Sequence, residues 1–198
     1  MRDLAELENT RRQGRDIPIL HWISPAFLAI LPLSYTAVSM MVHLAENRDL
    51  QTALRDKPDW RSGYLREVER LMGAFRYVTR QIGPKALSLE NTRLPPRSLV
   101  VMDIAAANRD PLIWDDPASC RPLRQSFPSA TFVSGPLACT GGQLSRRFLA
   151  LFLDAVLETV QLGPASQTHE ASRRASGWRM MRGFDMCKLV LEPRQDAR

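Results

Sequence analysis

A long stretch without a charged side chain constrains the fold of this chain more than any other feature. Between Asp16 and Glu46 the sequence reads IPILHWISPAFLAILPLSYTAVSMMVHLA, with no Asp, Glu, Lys or Arg. About 20 apolar residues are enough for a helix to cross a bilayer. The stretch therefore predicts either a membrane span or a helix that is buried on all sides within a larger α-helical fold.

Several residues inside this stretch favour the buried helix. Prolines and histidines interrupt it at Pro25, Pro32, His21 and His43. Its flanks lack the aromatic belt and the one-sided cluster of Lys and Arg that membrane anchors carry. The charged N-terminus has no apolar signal region. We therefore expect a central helix over residues 17–46 in a cytoplasmic protein that does not insert into a membrane.

The composition narrows the classes of function. The 198 residues carry a net charge of +6, with 44% hydrophobic and 24% charged residues, which is ordinary for a globular domain. The basic residues are scattered, which favours docking to an acidic partner, and no nucleic-acid motif is visible. The cysteines Cys120, Cys139 and Cys187 are far apart and form no CxxC pair, which argues against a disulfide framework and against structural zinc.

Hydrophobic periodicity predicts a mainly α fold with small β segments, in a single domain over residues 1–198. In the region 62–80 a helix is expected that has Ser62 as its N-cap and is ended by Gly73, and a second helix is expected over 143–162. Short strands are expected at 87–89 and 99–104, an extended ordered loop over 105–142, and a terminal hairpin over 177–193.

One loop places a cysteine in an unusual setting. Residues 132–142 read FVSGPLACTGG, so Cys139 lies among glycine and proline residues. A lone cysteine is most often a buried or incidental thiol. The alternative is a thiolate that binds a metal, and the loop alone does not decide between the two.

The order of four stretches resembles the C-terminal half of a cytochrome P450, from the central I helix to the end of the chain. They are HLAENRDLQTALR, LREVERL, VVMDIAAANRDPLIWDDPASCRPLR and FVSGPLACTGGQLSRR. Each stretch is short, but all four stand in family order at family-like separations. The resemblance implies a single cytochrome P450-like domain that is truncated at its N-terminus.

The resemblance also implies a cofactor and its site. Cys139 would be the catalytic thiolate ligand of the iron of heme b, where electron donation from sulfur favours O–O cleavage. Phe132, Gly135 and Gly141 would form the heme-binding loop, and Arg80 would contact a heme propionate.

A structural cluster follows from the same resemblance. Glu67 and Arg70 supply the Glu-x-x-Arg pair, and Arg124 stands where the family has its third charged partner. A buried carboxylate between two guanidinium groups is tolerated when all are hydrogen-bonded, and it then fixes geometry more than it adds stability. We expect these three side chains to lie together beneath the heme.

The chain departs from the family pattern at Val133, where the family has its first loop glycine, at Leu137 and at the Leu31–Pro32 pair. Leu137 stands where the family usually has a His or Arg bonded to a propionate. Leu31 and Pro32 stand where the family has the acid–threonine pair that delivers protons to iron-bound oxygen, unless a helical turn is removed and Thr36 takes that place. A proline here is similar to the fatty-acid peroxygenase branch, although the arginine that precedes it there is Leu31 in this chain.

Three functions remain open from the sequence. The first is a heme-thiolate oxidoreductase of the monooxygenase or peroxygenase type, acting on a small organic molecule in secondary metabolism and driven by peroxide. The second is a truncated, non-catalytic P450-like protein or interaction module. The third is an oxygen-independent heme-thiolate isomerase or dehydratase. The expected partners are a small-molecule substrate and either an acidic redox protein or a partner chain that supplies the missing N-terminal half.

Overall fold

The structure, a computed structural model, describes residues 20–125, 128–163, 180–182 and 189–193. Its chain contacts divide the protein into two units, Met1–Leu31 and Pro32–Arg198. The single domain expected over 1–198 therefore stays a prediction. Cys187 lies outside the described residues, and so does most of the expected terminal hairpin.

The described residues are mainly helical, with small β segments, and this fold class is confirmed. The helices are α1 (Leu20–Glu46), α2 (Arg48–Asp56), α3 (Asp59–Met72), α4 (Ile104–Ala107) and α5 (Gly142–Thr159), with a 3-10 turn at Gly135–Leu137. The strands are β1 (Tyr77–Gln81), β2 (Leu87–Leu89), β3 (Thr92–Leu94), β4 (Leu99–Asp103), β5 (Val160–Gly163) and β6 (Val190–Pro193).

The strands pair into small antiparallel sheets, β1 with β4, β2 with β3, and β5 with β6. The strand expected at 87–89 is β2. The strand expected at 99–104 ends one residue early, because Asp103 is the N-cap of α4 and its carboxylate accepts a hydrogen bond from the Ala106 N–H at 2.9 Å. In the expected loop over 105–142, the described residues after α4 form turns and the 3-10 turn at Gly135–Leu137.

The uncharged stretch forms α1, which runs without interruption past Pro32. Its second half carries buried side chains, namely Thr36, Ala37, Met40, Val42, Leu44 and Ala45, whereas Ile30 and Leu31 are exposed. The segment Ala29–Glu46 is long and apolar enough to cross a membrane by length and composition alone, with a mean hydropathy of 1.2, and 33% of it is buried. From Thr36 onward, then, the helix packs inside the protein.

The hydrophobic core is shared by four helices and a strand. Its fully buried side chains include Met40 and Leu44 of α1, Leu54 of α2, Tyr64 and Val68 of α3, Leu153 and Leu157 of α5, and Leu162 of β5. Burying a side chain of this size contributes roughly 1.5–3 kcal/mol. The core therefore fixes α3 relative to α5, the helix that follows the Cys139 loop.

Helix α3 begins earlier than expected, and Ser62 lies inside it, so the predicted N-cap is wrong. The cap position is Pro58, and the helix starts at Asp59. The Trp60 N–H donates to the Lys57 carbonyl at 2.9 Å and the Arg61 N–H to the Pro58 carbonyl at 3.0 Å. Proline's fixed φ suits the start of a helix, where a missing N–H costs nothing.

Gly63 lies in the interior of α3, where glycine costs about 1 kcal/mol relative to alanine. A Cβ atom at this position would stand 1.8 Å from the Pro122 carbonyl oxygen. The segment around Pro122 therefore packs directly on the backbone of α3, and only glycine leaves room for this contact.

Helix α5 buries one of two rows of apolar side chains. Leu149, Leu153, Val156 and Leu157 are buried. Leu144, Phe148 and Leu151 are 71%, 44% and 58% exposed. The helix is apolar on two faces, and among the described residues only one of them has a partner in the core.

The end of α5 and the terminal hairpin also differ from expectation. The helix expected over 143–162 ends at Thr159, and the chain continues as β5. Strand β6, from the region of the expected hairpin, pairs with β5. Met181 forms an isolated bridge with Phe75. Because β5 offers an open edge directly after α5, the end of the chain adds to it.

A histidine contact joins α1 to α3. The His43 ring stacks on the Tyr64 ring at 5.8 Å between centres, and the His43 Nδ1 atom lies 3.2 Å from the Tyr64 hydroxyl. Burial lowers the pKa of His43, and the charge of Glu46 opposes this only in part. His43 is therefore held neutral in the folded protein.

This arrangement predicts a loss of stability in mildly acidic solution. The unfolded chain takes up a proton at the ordinary histidine pKa of about 6.5, while the folded protein resists it, so stability is complete above that pKa and falls as the pH drops below it, by at most about 1.4 kcal/mol per pH unit. Urea unfolding of the wild-type chain and of His43→Gln should show this loss in the wild type alone. An equal loss in both would contradict the assignment to His43.

Candidate functional site

Glu67 is the centre of a buried charged cluster. Its carboxylate accepts hydrogen bonds from Arg70 Nε and Nη2, both at 2.8 Å, and from Arg124 Nε at 3.3 Å. The backbone N–H of Arg121 donates to the same carboxylate at 2.9 Å. Glu67 is 3% exposed and Arg70 1%. The structure thus brings Glu67, Arg70 and Arg124 together, and it adds a backbone donor that no sequence pattern marks.

Arg70 connects α3 to the segment that follows α4. Its Nη1 donates to the carbonyls of Asn108 and Pro117 at 2.8 and 2.7 Å, and its Nη2 donates to the carbonyl of Ser119 at 3.1 Å. The guanidinium also lies 4.8 Å from the centre of the Trp114 ring. A fully buried cation is tolerated here because its donors find acceptors.

The pKa values of Glu67 and of the nearby Cys120 are shifted in opposite directions. Burial by itself raises the pKa of Glu67, but the hydrogen bonds from Arg70 and Arg121 and the charges of Arg70 and Arg124 outweigh it and leave that pKa below its ordinary value. Burial, followed by the charge of Glu67, raises the pKa of the Cys120 thiol to about 12. Glu67 is therefore an anion, whereas Cys120 is a neutral thiol that packs against the core.

Asn108 holds the beginning of the Cys139 loop. It is buried, and its amide nitrogen donates to Thr131 Oγ1 at 2.9 Å while its amide oxygen accepts from the Ala130 N–H at 2.7 Å. The backbone carbonyl of Asn108 also accepts from Arg70. Sequence reasoning assigned Asn108 no role, although it stands in the Asn-Arg-Asp-Pro turn that could have marked it.

The Cys139 loop is closed by backbone hydrogen bonds. The Cys139 N–H donates to the Phe132 carbonyl at 2.9 Å, and the Gly142 N–H donates to the Cys139 carbonyl at 3.2 Å. Gly135 has a φ of 73°, in the left-handed region, which only glycine adopts without strain. Val133 has a φ of 56°, so a β-branched side chain is held in a strained turn beside it.

Two glycines follow closely after Cys139, one beside its sulfur and one against the Phe132 ring. A Cβ on Gly141 would lie 3.8 Å from Cys139 Sγ, and a Cβ on Gly142 would lie 3.3 Å from the Phe132 ring. Cys139 is exposed and forms no disulfide. Helix α5 begins at Gly142, three residues after the cysteine.

Arg80 lies apart from these groups. It is half-buried on β1, and its Nη1 donates to the Thr79 carbonyl at 2.8 Å. Among the described residues, no hydrogen bond or ion pair joins Arg80 to the Glu67 cluster or to the Cys139 loop. The role expected for Arg80 stays a prediction.

Sequence reasoning missed a second ion pair beside the loop. Arg146 of α5 donates to Glu69 of α3 through Nε at 2.8 Å and through Nη2 at 3.0 Å. Both residues stand inside the motifs that carried the resemblance, LREVERL and QLSRR, but neither motif indicates that the two side chains meet.

The residues present fit a heme held by a single thiolate. Within the described part of the chain, no group of three or more His, Cys, Asp or Glu side chains could hold a metal ion. Cys139 offers an exposed sulfur at a helix N-terminus with glycines beside it, whereas the Cys120 thiol stays protonated.

Known proteins similar to this chain are cytochromes P450. Biflaviolin synthase CYP158A1 of Streptomyces coelicolor is 28% identical over 127 residues, which cover 64% of this chain and 31% of that protein. Beta-dihydromenaquinone-9 omega-hydroxylase of Mycobacterium tuberculosis is 31% identical over 179 residues, which cover 85% of this chain and 35% of that protein. No family model matches the chain.

Solved structures agree with these relatives. The crystal structure of P450 OxyD, which is involved in the biosynthesis of vancomycin-type antibiotics, matches with a TM-score of 0.69 and 25% identity, over 82% of this chain and 41% of that one. The chain spans about a third of the length of the curated relatives it matches. The resemblance to the C-terminal part of a cytochrome P450 is confirmed, and such proteins hold heme through a cysteine thiolate.

Proposed function

We propose that this chain, which has the fold of the C-terminal part of a cytochrome P450, is a heme-thiolate oxidoreductase acting on a small organic molecule. The observation that carries the proposal is the exposed Cys139 thiol in its hydrogen-bonded loop at the start of α5. The relatives include a biflaviolin synthase and a protein of antibiotic biosynthesis, which supports secondary metabolism as the setting.

In this proposal the loop residues hold the cofactor. Cys139 would bind the iron, and the Phe132 carbonyl fixes the cysteine backbone through its 2.9 Å hydrogen bond. Gly135 permits the left-handed turn of the loop, Gly141 leaves room beside the sulfur, and Arg80 would pair with a propionate. When bound, heme supplies a redox-active iron whose chemistry is tuned by the electron-rich sulfur.

The Glu67 cluster holds the Cys139 loop in position relative to α3. Arg70 and Arg124 bind the carbonyls of the segment from Asn108 to Ser119, and Asn108 in turn binds Ala130 and Thr131. The cluster therefore acts on Cys139 through packed backbone and has no part in the chemistry itself.

The direct test is to load the purified chain with heme, reduce it and add carbon monoxide. Thiolate ligation gives a red-shifted Soret band, and this band is the expected result. Failure of the chain to bind heme under these conditions would contradict the proposal.

The side chains of α1 bear on whether the site would use oxygen or hydrogen peroxide. Use of oxygen would require a residue that delivers protons, and neither Leu31 nor Pro32, which stand where the family has its acid–threonine pair, has a proton to deliver. The Thr36 hydroxyl donates to the Pro32 carbonyl at 2.9 Å. Hydrogen peroxide brings both its protons and its electrons, so a site of this composition is better suited to peroxide.

We therefore predict that oxidation of a substrate is supported at least about tenfold better by hydrogen peroxide than by NAD(P)H with redox partners, a factor that general acid catalysis alone can supply. Both regimes are run on one heme-loaded preparation, with catalase as the control because it destroys peroxide. Efficient turnover with a reductase that catalase leaves unchanged would contradict the prediction and favour Thr36 as the proton donor.

A second function is favoured by the exposed row on α5. Leu144, Phe148 and Leu151 form an apolar row along one face of the helix, and soluble proteins rarely leave such a face uncovered. The chain would then be an interaction module, or would pair with a chain that supplies the remaining P450 helices. The net charge of +6 also suits an acidic redox protein. Heme binding through sulfur separates the first function from a purely non-catalytic module.

A further inference from the structure

The ion pair between Glu69 and Arg146 has the geometry of a strong contact. Arg146 Nε and Nη2 lie 2.8 and 3.0 Å from the two carboxylate oxygens of Glu69, so the pair is bidentate. The Glu69 side chain is only 11% exposed, whereas that of Arg146 is 47% exposed. The carboxylate is therefore held out of water on α3, and the guanidinium reaches it from α5.

Glu69 also binds the chain just before the Cys139 loop. Its carboxylate accepts from Ser129 Oγ at 2.6 Å, and its backbone carbonyl accepts from Thr131 Oγ1 at 2.6 Å. One residue of α3 thus fixes two residues that lead into the loop. An exposed surface ion pair contributes little, but this pair shares its carboxylate with a third chain segment.

Arg146 acts on the same loop from the other side. Its guanidinium lies 4.8 Å from the centre of the Phe132 ring, within the range of a cation–π contact. The Phe132 carbonyl accepts the hydrogen bond from the Cys139 N–H. A continuous set of contacts therefore runs from Glu69 through Arg146 and Phe132 to the backbone of Cys139.

We propose that Glu69 and Arg146 are positioning residues that clamp Phe132 and so hold Cys139 where its sulfur can bind heme iron. The proposal rests on the proposed function for its consequence at the heme, but the clamp itself is a property of the chain alone. Removing the Arg146 side chain takes its guanidinium from the Phe132 ring. Removing the Glu69 carboxylate frees both that guanidinium and the Ser129 hydroxyl. In either case Phe132, whose carbonyl accepts from the Cys139 N–H, is held less firmly.

The first experiment measures the loop without heme. Hydrogen exchange of the amides in residues 131–142 is followed by mass spectrometry in the wild-type chain, Glu69→Gln and Arg146→Gln. We expect about fivefold faster exchange at Cys139 in both variants, because local opening becomes easier. The matched control is Arg147→Gln, at the neighbouring arginine of α5, whose side chain makes no hydrogen bond or ion pair to a described residue. This variant should exchange like the wild type.

The second experiment measures the heme-loaded protein. In Glu69→Gln and Arg146→Gln the red-shifted, thiolate-type Soret band of the reduced, CO-treated protein should lose at least about half of its intensity to the band of a non-thiolate species. Arg146→Lys keeps the charge but loses the bidentate contact, so its thiolate-type band should have an intensity between those of the wild type and Arg146→Gln. Circular dichroism confirms that each variant is folded.

The outcomes separate the clamp from the proposed function. Faster exchange in both clamp variants with a normal Arg147→Gln supports the clamp even if the wild-type chain binds no heme, which would defeat the proposed function alone. Heme bound through Cys139 in the wild type, with exchange and spectra of the clamp variants identical to those of Arg147→Gln, would overturn the clamp and leave the proposed function standing.

Discussion

Replacing Cys139 by serine is expected to abolish the red-shifted Soret band of the heme-loaded, reduced and CO-treated protein. The band depends on electron donation from a thiolate, and serine oxygen is neither as polarisable nor as acidic as cysteine sulfur. Cys139 is the cysteine of the loop that is exposed beside Gly141, at the beginning of α5. Any heme that remains bound should show the spectrum of a non-thiolate species.

The matched control for this experiment is Cys120→Ser. The Cys120 thiol has its pKa raised to about 12 by burial and by the charge of Glu67, so it is protonated at neutral pH and is a poor ligand. It packs against the hydrophobic core, and its replacement should affect stability but leave the band in place. A band that survives in Cys139→Ser and disappears in Cys120→Ser would reverse the assignment.

Replacing Glu67 by alanine is expected to lower the free energy of unfolding by about 3–5 kcal/mol, the usual cost of removing one partner from a buried ion pair. Arg70 is 1% exposed and would be left as a buried cation beside Arg124 without its carboxylate. The Arg121 N–H would lose its acceptor as well. Arg80→Ala removes one hydrogen bond of a half-buried side chain and should cost about 1 kcal/mol or less.

Urea unfolding of Glu67→Ala and Arg80→Ala, with the exposed Glu158→Ala as the matched glutamate control, measures the difference. Glu158→Ala should stay within about 0.5 kcal/mol of the wild type, as exposed positions usually do. A Glu67→Ala protein as stable as Glu158→Ala would show that the carboxylate is not required for the fold. An equal loss of unfolding free energy in Glu67→Ala and Arg80→Ala would show that the buried cluster contributes no more to stability than Arg80 does.

The sequence predicted where the helices lie along the chain better than it predicted which of their faces are buried. The uncharged stretch and the pattern of LREVERL placed α1 and α3 because periodicity along the chain is a local property. The choice of the buried face of α5 depends instead on contacts with distant parts of the chain. Leu149 and Leu153 meet the core while Leu144 and Phe148 remain exposed, and all four carry apolar side chains. Strand β1 was missed because Tyr77–Gln81 is short and partly polar, and it becomes a strand only by pairing with β4.

The same limit applies to the candidate site. The pairing of Glu67 with Arg70 follows from their spacing on one helix face, and Arg124 was named from family order alone. The Arg121 N–H, the amide of Asn108 and the contact between Glu69 and Arg146 depend on segments that meet only in the folded chain. Backbone donors leave no trace in a sequence pattern, so these parts of the site required the structure.

Gly63 sets the polarity around the charged cluster, although it carries no charge and no side chain. It lets the Pro122 carbonyl rest on the backbone of α3, between Arg121 and Arg124 in sequence, and so brings both residues within reach of Glu67. A methyl group at position 63 would push this segment outward and admit water between the carboxylate and the guanidinium groups. The strength of a Coulomb interaction falls steeply as water replaces protein. The electrostatics of this site are therefore governed by the absence of a single carbon atom one helical turn away.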